Sequence, residues 1–210
     1  MKSTNKYLKF YAVTDRTWLN KTLEEDVRSS LEGGVSCVQL REKSLNYEEF
    51  LHEAKIIKRL CDEYSTPFIV NDNLEVAINS NANGIHVGQD DLSASEIKKV
   101  IKNNMILGVS VQTVAEAIKA EKDGANYLGV GAVFNTSTKN DAKSVSIETL
   151  KEICENVSIP VVAIGGITEE NIKPLKDSGI CGVALVSEIF NNKDIKSKCV
   201  QLSKIINETF

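Results

Sequence analysis

Short runs of apolar residues recur along the chain, and the segments between them space their hydrophobic positions as helices do. The runs begin roughly every 20 to 30 residues and are rich in Val and Ile, which is typical of buried strands. Leu23, Val27 and Leu31 show the helical spacing that separates two of these runs. The predicted strands are 10–13, 35–40, 67–70, 84–87, 106–109, 127–130, 160–164 and 182–186.

Eight strands, each followed by a predicted helix, indicate a parallel sheet covered on both faces. In a chain of 210 residues, eight such units predict a single α/β domain, a (β/α)8 TIM barrel over residues 1–210. A doubly wound open sheet is the competing architecture, but it usually carries a glycine-rich turn after its first strand. Here that place is taken by Thr14-Asp15-Arg16, which favours the barrel.

The charge and cysteine content limit the kinds of ligand and partner that the protein is expected to bind. The 25 basic and 29 acidic residues give a net charge of -4, which provides no basic footprint for nucleic acid or an anionic membrane. The five cysteines are odd in number and lack a C-x-x-C pair, which argues against a disulfide framework or a zinc site. Residues 1–5 are polar and no apolar run approaches the roughly 18 residues that span a bilayer. We therefore expect a cytoplasmic protein with small-molecule substrates, and a homo-oligomer stays open.

Polar residues collect where the predicted strands end, which is where (β/α)8 barrels build their active sites. At the end of the second strand, Gln39, Arg41 and Lys43 alternate with Leu40 and Glu42, so a strand would turn the first three to one face. An Arg and a Lys on that face indicate an anionic ligand. An edge strand with a solvated face is the alternative.

Two aspartates suggest a metal site. Asp72 and Asp91 follow neighbouring predicted strands, which lie about 4.8 Å apart in a sheet, so their carboxylates can converge. Two hard oxygens combined with a substrate phosphate suit Mg²⁺. The alternative is that each aspartate caps the helix that follows it. Because Arg41 and Lys43 lie one strand away, the pair favours a site for a metal ion and a phosphate.

Three other segments carry groups that can bind phosphate. Residues 136–139, Thr-Ser-Thr-Lys, offer hydroxyls and an ammonium group, although an ordinary polar loop has a similar composition. Gly165-Gly166 and Val186-Ser187 follow the last two strands, where barrels often bind phosphate through backbone N–H groups, although tight turns also use glycine. His86 is expected to be a hydrogen-bonded histidine of the core rather than a catalytic base.

Seven short blocks, in this order and at this spacing, resemble the thiamine-phosphate synthase family. They are V-Q-L-R-E-K at 38–43, N-D-N at 71–73, H-V-G-Q-D-D at 86–91, G-V-S at 108–110, T-S-T-K at 136–139, G-G-I at 165–167 and V-S at 186–187. The resemblance spans nearly the whole chain. It implies a transferase of thiamine biosynthesis that joins a hydroxymethylpyrimidine diphosphate to a thiazole phosphate, releases diphosphate and uses Mg²⁺ as its cofactor.

Residue by residue, the resemblance implies three adjoining sites. Asp72 and Asp91 would bind Mg²⁺. The pyrimidine diphosphate would contact Gln39, Leu40, Arg41, Glu42, Lys43, Asn71, Ser110 and Lys139. The thiazole phosphate would contact Thr136, Ser137, Thr138, Gly166, Val186 and Ser187. The expected catalytic residues, which would stabilise charge on the departing diphosphate, are Arg41, Lys43, Ser110 and Lys139.

Two positions depart from the family pattern, and three other functions stay open. Asn135 stands where Pro is usual, and Glu188 stands where a small residue is common. Since Glu188 would bring an anion near the expected phosphate, its side chain is expected to point away. The other functions are a thiazole tautomerase-like relative, a non-catalytic sensor of a thiamine precursor and a barrel isomerase of sugar phosphates. Asp72, Asp91 and Lys139 argue against the tautomerase.

Overall fold

The computed structural model of the chain describes residues 6–136 and 144–210. Eight parallel strands close into a barrel in chain order, and β8 pairs with β1 to complete it. The strands are β1 (Phe10–Val13), β2 (Cys37–Leu40), β3 (Phe68–Asn71), β4 (Gly84–Val87), β5 (Ile106–Val111), β6 (Tyr127–Val130), β7 (Val161–Ile164) and β8 (Gly182–Leu185). The predicted (β/α)8 barrel is confirmed.

Helices pack around the barrel, and side-chain caps fix where several of them begin. The helices are α1 (Leu23–Glu32), α2 (Tyr47–Glu63), α3 (Leu74–Asn79), α4 (Ala94–Val100), α5 (Val114–Lys122), α6 (Ile147–Asn156), α7 (Ser187–Phe190) and α8 (Ile195–Thr209). Capping boxes begin three helices, and the pairs are Thr22 with Glu25, Asn46 with Glu49 and Ser93 with Glu96. No helix within 6–136 or 144–210 is both long and apolar enough to cross a membrane.

The prediction of a helix after every strand is wrong between β7 and β8. That connection contains one turn of 3-10 helix, Lys173–Leu175, with Pro174 inside it. Proline lacks the N–H that a continuing helix needs. Asp177 and Gly179 then adopt positive φ angles of 56° and 87°, which lie outside helical geometry.

Side chains along each strand alternate between two cores. Phe10 and Ala12 of β1 belong to the larger core, which lies between the strands and the helices. Tyr11 and Val13 belong to a second cluster that also includes Tyr127, which fills the inside of the barrel. The interior of the barrel is therefore packed with side chains, and a ligand is expected at the C-terminal ends of the strands.

Candidate active site

The loops that follow the C-terminal ends of the strands form the barrel mouth, and most of the predicted site residues lie there. Gln39 and Asn71 are the interior-facing residues near the ends of β2 and β3, and both are buried. Ser110 lies near the end of β5 and is half-buried. Val186 and Ser187 directly follow β8. Ser137, Thr138 and Lys139 lie outside the described residues.

Arg41 follows β2 directly and is oriented by the loop after β1. Its guanidinium pairs with the Asp15 carboxylate, and its backbone N–H donates to Thr14 Oγ1 at 3.0 Å. Asp15 also accepts from the N–H of Thr17 at 3.0 Å, so the carboxylate is itself fixed. The orienting role of Asp15 depends on a contact between separate loops, and strand periodicity carries no signal for it. The sign that the sequence offers for Asp15 is its position two residues after the first predicted strand.

Lys43, Asp72 and Asp91 form a mixed-charge cluster at the ends of β2, β3 and β4. Lys43 Nζ lies 2.5 Å from Asp72 Oδ2, and Asp91 Oδ2 accepts from the N–H of Gly88 at 2.7 Å. Burial raises the pKa of the Asp91 carboxyl, and its neighbour Asp72 raises it further, while the Gly88 N–H and Lys43 act in the opposite direction. The two carboxylates are therefore close enough to repel each other, and a cation between them would relieve this repulsion.

Neither aspartate caps a helix. The N-cap of α3 is Asn73, whose side chain accepts from the N–H of Val76, and the N-cap of α4 is Ser93. Asp72 adopts a left-handed backbone conformation with φ of 61°, which is uncommon outside glycine and costs backbone energy. The capping alternative is excluded for both residues, and the strained backbone of Asp72 is of the kind that clusters at functional sites.

Two residues of the predicted pyrimidine diphosphate site face away from the barrel mouth. Leu40 is fully buried in the core between strands and helices, so it can offer a ligand only its backbone. The Glu42 side chain is 2% exposed and accepts from Arg16 Nε at 2.7 Å. Arg16 also pairs with Glu53 at 2.5 Å. Arg16 therefore links the loop after β1 both to Glu42, in the loop after β2, and to Glu53 of α2.

Glu42 predicts a pH dependence of stability. Burial raises the pKa of its carboxyl to about 7, with Glu53 adding to the rise and Arg16 opposing it. The unfolded chain loses this proton near pH 4.5 whereas the folded chain keeps it up to about 7, so stability falls as pH rises between these values. Glu42→Gln has no proton to lose. We expect the wild-type Tm, relative to this variant, to fall by about 2 °C or more from pH 5 to 8. If scanning calorimetry showed the same difference in Tm between the wild type and Glu42→Gln at about pH 5 and pH 8, the raised pKa of Glu42 would be contradicted.

The loops after β6, β7 and β8 meet on one side of the barrel mouth. Gly166 has φ of 64°, and a Cβ there would lie 2.3 Å from the carbonyl oxygen of Asn135 and 2.9 Å from Phe134 Cβ. Glycine at this position therefore lets two loop backbones approach closely. Thr136, at the end of the first described range, is half-buried beside them.

The Glu188 side chain contacts α8. Its Oε1 lies 2.7 Å from Lys198 Nζ and accepts from the N–H of Glu169 at 3.3 Å. Lys198 also pairs with Glu169 at 3.1 Å, so its single positive charge is shared between two carboxylates. The ion pair therefore offsets part of the negative charge that distinguishes this chain from the family pattern.

Hydrogen bonds inside the barrel connect Gln39 to Ser110 through three residues that were not predicted as site residues. The intervening residues are Tyr11, Tyr127 and His86. Burial lowers the pKa of His86 to about 4 and raises those of Tyr11 and Tyr127 well above their ordinary value. An imidazole with so low a pKa is a weak base at neutral pH. The expectation that His86 is a hydrogen-bonded core residue is confirmed.

The cysteines offer no activated nucleophile. All five are free thiols, and burial raises the pKa of each. A thiol with a raised pKa carries little of the reactive thiolate at neutral pH. Within the described residues, neither His86 nor these thiols is therefore suited to act as a base or a nucleophile at neutral pH.

Comparison with known proteins identifies relatives along nearly the whole chain. The sequence model described as thiamine monophosphate synthase matches residues 10–189. The thiamine-phosphate synthase of Ruminiclostridium cellulolyticum is 50% identical over 206 residues, covering 98% of each chain. That of Clostridium tetani is 48% identical over 199 residues, covering 94% of this chain and 95% of the relative.

A solved structure shares the same architecture. The thiamine phosphate pyrophosphorylase from Pyrococcus furiosus superposes with a TM-score of 0.92 at 37% sequence identity. The match covers 99% of this chain and 100% of the other. The likeness therefore extends over nearly the whole chain.

Proposed function

Since the chain belongs to the thiamine monophosphate synthase family, we propose that it is a transferase that makes thiamine phosphate. Its substrates would be hydroxymethylpyrimidine diphosphate and a thiazole phosphate, and its second product would be diphosphate. The observation that carries the proposal is the mixed-charge cluster of Lys43, Asp72 and Asp91 at the barrel mouth. Such a cluster suits a substrate that brings both phosphate oxygens and a metal ion.

The donor set fits Mg²⁺. The two adjoining carboxylates, Asp72 and Asp91, would hold it. Within the described residues, no cluster of three or more His, Cys, Asp or Glu side chains forms a metal site made of protein ligands alone. Mg²⁺ commonly takes one or two protein carboxylates and completes its shell with water and substrate phosphate. When bound, the ion supplies charge stabilisation to the departing diphosphate. Lys43 pairs with Asp72 in the structure, and an ion held by Asp72 would release Lys43 to contact phosphate oxygens.

The reaction needs charge stabilisation more than proton transfer. The bond between the pyrimidine methylene carbon and the diphosphate oxygen breaks, and its electron pair leaves with the oxygen. The thiazole nitrogen then donates its lone pair to the methylene cation and forms the new C–N bond. Arg41, Lys43, Ser110 and Lys139 would stabilise the negative charge on the diphosphate. The weak basicity of His86 is consistent with a step in which no proton moves.

The thiazole phosphate would lie across the barrel mouth from Asp72 and Asp91. Thr136, Ser137 and Thr138 would donate hydroxyl hydrogen bonds to it, while Gly166, Val186 and Ser187 would contribute backbone N–H groups. The close approach of the loops at Gly166 supports this assignment, because a backbone cradle requires a residue without a side chain there. Holding both rings in line would lower the barrier through orientation alone.

Lys139→Ala separates a synthase from a non-catalytic sensor of the same ligands. Because a synthase uses Lys139 to stabilise charge that develops as the diphosphate departs, we expect kcat to fall about 30-fold and the dissociation constant of the pyrimidine diphosphate to rise only about threefold. Product formation gives the first quantity and calorimetry gives the second. A sensor would show no turnover in the wild type and lose only affinity in the variant.

A further inference from the structure

A continuous chain of polar side chains crosses the inside of the barrel and ends at two residues of the proposed pyrimidine diphosphate site. Gln39 Nε2 donates to the Tyr11 hydroxyl at 2.7 Å, and the Tyr11 and Tyr127 hydroxyls lie 2.8 Å apart. His86 Nδ1 lies 2.8 Å from the Tyr127 hydroxyl, and His86 Nε2 lies 2.8 Å from Ser110 Oγ. The chemistry described above uses only Gln39 and Ser110, so the three middle residues have no assigned role.

The first link gives the chain a direction. An amide nitrogen only donates, so the Tyr11 oxygen accepts from Gln39, and the Tyr11 proton has two acceptors within reach, the Tyr127 hydroxyl and the Cys37 sulfur. Because a thiol sulfur is a weak acceptor, we assign the proton to Tyr127. The proton of Tyr127 must then go to His86 Nδ1, which has to be the bare nitrogen of the ring. A neutral imidazole with a bare Nδ1 carries its proton on Nε2, and that proton points to Ser110 Oγ.

The ring of His86 fits the neutral form because both of its nitrogens face hydroxyl groups. An imidazolium donates from both nitrogens and is rarely buried without a carboxylate partner, whereas His86 is 7% exposed and its hydrogen-bond partners are Tyr127 and Ser110. One nitrogen therefore accepts while the other donates, and the alternating pattern continues without a break from Gln39 to Ser110.

Two glycines make the space that the chain occupies. A Cβ on Gly108 would lie 2.2 Å from Tyr127 Cζ and 2.4 Å from His86 Nδ1, and a Cβ on Gly129 would lie 3.1 Å from His86 Cε1. The two aromatic rings also pack against each other, with centroids 5.4 Å apart. Packing thus holds the rings in place, and the hydrogen bonds then determine where each proton points.

We propose that Tyr11, Tyr127 and His86 are positioning residues that fix the polarity of the Ser110 hydroxyl. Ser110 Oγ accepts from His86, so its own proton is left for an acceptor in the barrel mouth. On the proposed function, that acceptor is an oxygen or ring nitrogen of the pyrimidine diphosphate. The hydroxyl is thereby prepared as a donor before the substrate arrives, so its dipole needs no reorientation during the reaction.

The polarity can be measured without any substrate. The chain has only two histidines, so ¹⁵N labelling of histidine gives two sets of ring signals, and a His52→Gln variant assigns them. We expect His86 in the wild type to be a single tautomer, protonated at Nε2 and bare at Nδ1. A proton on Nδ1 would mean that the hydrogen bonds from Gln39 to Ser110 run in the opposite direction, and this result would overturn the proposal. A mixture of the two tautomers would overturn it as well.

A double-mutant cycle tests whether Tyr127 acts through Ser110. We expect Tyr127→Phe to lower kcat about tenfold, the scale of one lost hydrogen bond, with the packing of the ring retained. In a Ser110→Ala background the same substitution should lower kcat less than about twofold, because the group that it positions is already absent. A full tenfold loss in that background would show a general structural role and overturn the proposal.

Two substitutions of His86 provide the matched comparison. The amide nitrogen of glutamine can occupy the place of Nε2 and donate to Ser110, whereas asparagine reaches only the place of Nδ1. We expect His86→Gln to keep at least about fivefold more kcat than His86→Asn. Equal losses in two folded variants would overturn the proposal. If the wild type makes no thiamine phosphate, the proposed function fails, and the tautomer measurement still decides the polarity of the chain.

Discussion

Replacing Asp91 by asparagine is expected to lower kcat/KM for thiamine phosphate formation by about 1,000-fold. Asp91 lies beside Asp72 and accepts a hydrogen bond from the N–H of Gly88, and under the proposed function these two carboxylates would hold the metal ion that neutralises diphosphate. Asparagine keeps the shape of the side chain and removes its charge. Initial rates at saturating Mg²⁺ measure the effect, and Asp72→Asn should behave in the same way.

Asp90→Asn is the matched control for this substitution. It removes the same charge from the adjacent, exposed position, so it reproduces the change in net charge and in long-range electrostatics. We expect its kcat/KM to stay within about threefold of the wild type. Equal losses in Asp90→Asn and Asp91→Asn would contradict a metal-binding role for Asp91, since only the overall charge would then matter. A shift of the Mg²⁺ requirement in Asp91→Asn alone would support it.

Replacing Gly166 by alanine is expected to raise KM for the thiazole phosphate about 100-fold. The substitution would impose a positive φ on a residue that disfavours it and would bring a Cβ to 2.3 Å from the Asn135 carbonyl oxygen. The loops after β6 and β7 would have to separate, and the backbone cradle proposed for the phosphate would open. Most residues of the proposed pyrimidine diphosphate site follow β2, β3 and β5 and would stay in place, and only Lys139 lies in the displaced loop after β6, so KM for this substrate should rise by less than about tenfold.

Gly34→Ala provides the control for backbone strain. Gly34 also has a positive φ, of 99°, and a Cβ there would lie 3.1 Å from Ser203 Oγ, in the turn between α1 and β2 away from the barrel mouth. We expect Gly34→Ala to lower Tm and leave both KM values unchanged. If Gly166→Ala raised the two KM values equally, the loss would reflect general loosening and the assignment of the thiazole phosphate to this side would be wrong.

The barrel could be predicted from the sequence because its signals are local. Each strand is a short apolar run, and the predicted limits of the first, fourth and sixth strands match β1, β4 and β6 residue for residue. The clearest local failure is the connection from β7 to β8. There the apolar spacing suggested a helix, but Pro174 and the positive φ angles of Asp177 and Gly179 restrict the segment to a single turn.

The charged residues of the candidate site, Arg41, Lys43, Asp72 and Asp91, could also be predicted. Once the barrel is recognised, the sequence shows which residues follow the end of each strand. What could not be predicted depends on contacts between strands distant in sequence. The Tyr11 and Tyr127 hydroxyls are brought together by closure of the barrel across 116 positions. The pairing of Arg41 with Asp15 likewise joins two loops that are 26 positions apart in the sequence.

The decisive experiment follows diphosphate and thiamine phosphate in parallel, using purified protein with both substrates, with Mg²⁺ present or removed by chelation. We expect the two products to appear in equal amounts, only when both substrates are supplied, and to stop when Mg²⁺ is removed and resume when it is restored. Tight binding of either substrate without formation of thiamine phosphate would contradict the synthase function. Equal product formation without Mg²⁺ would contradict the role proposed for Asp72 and Asp91.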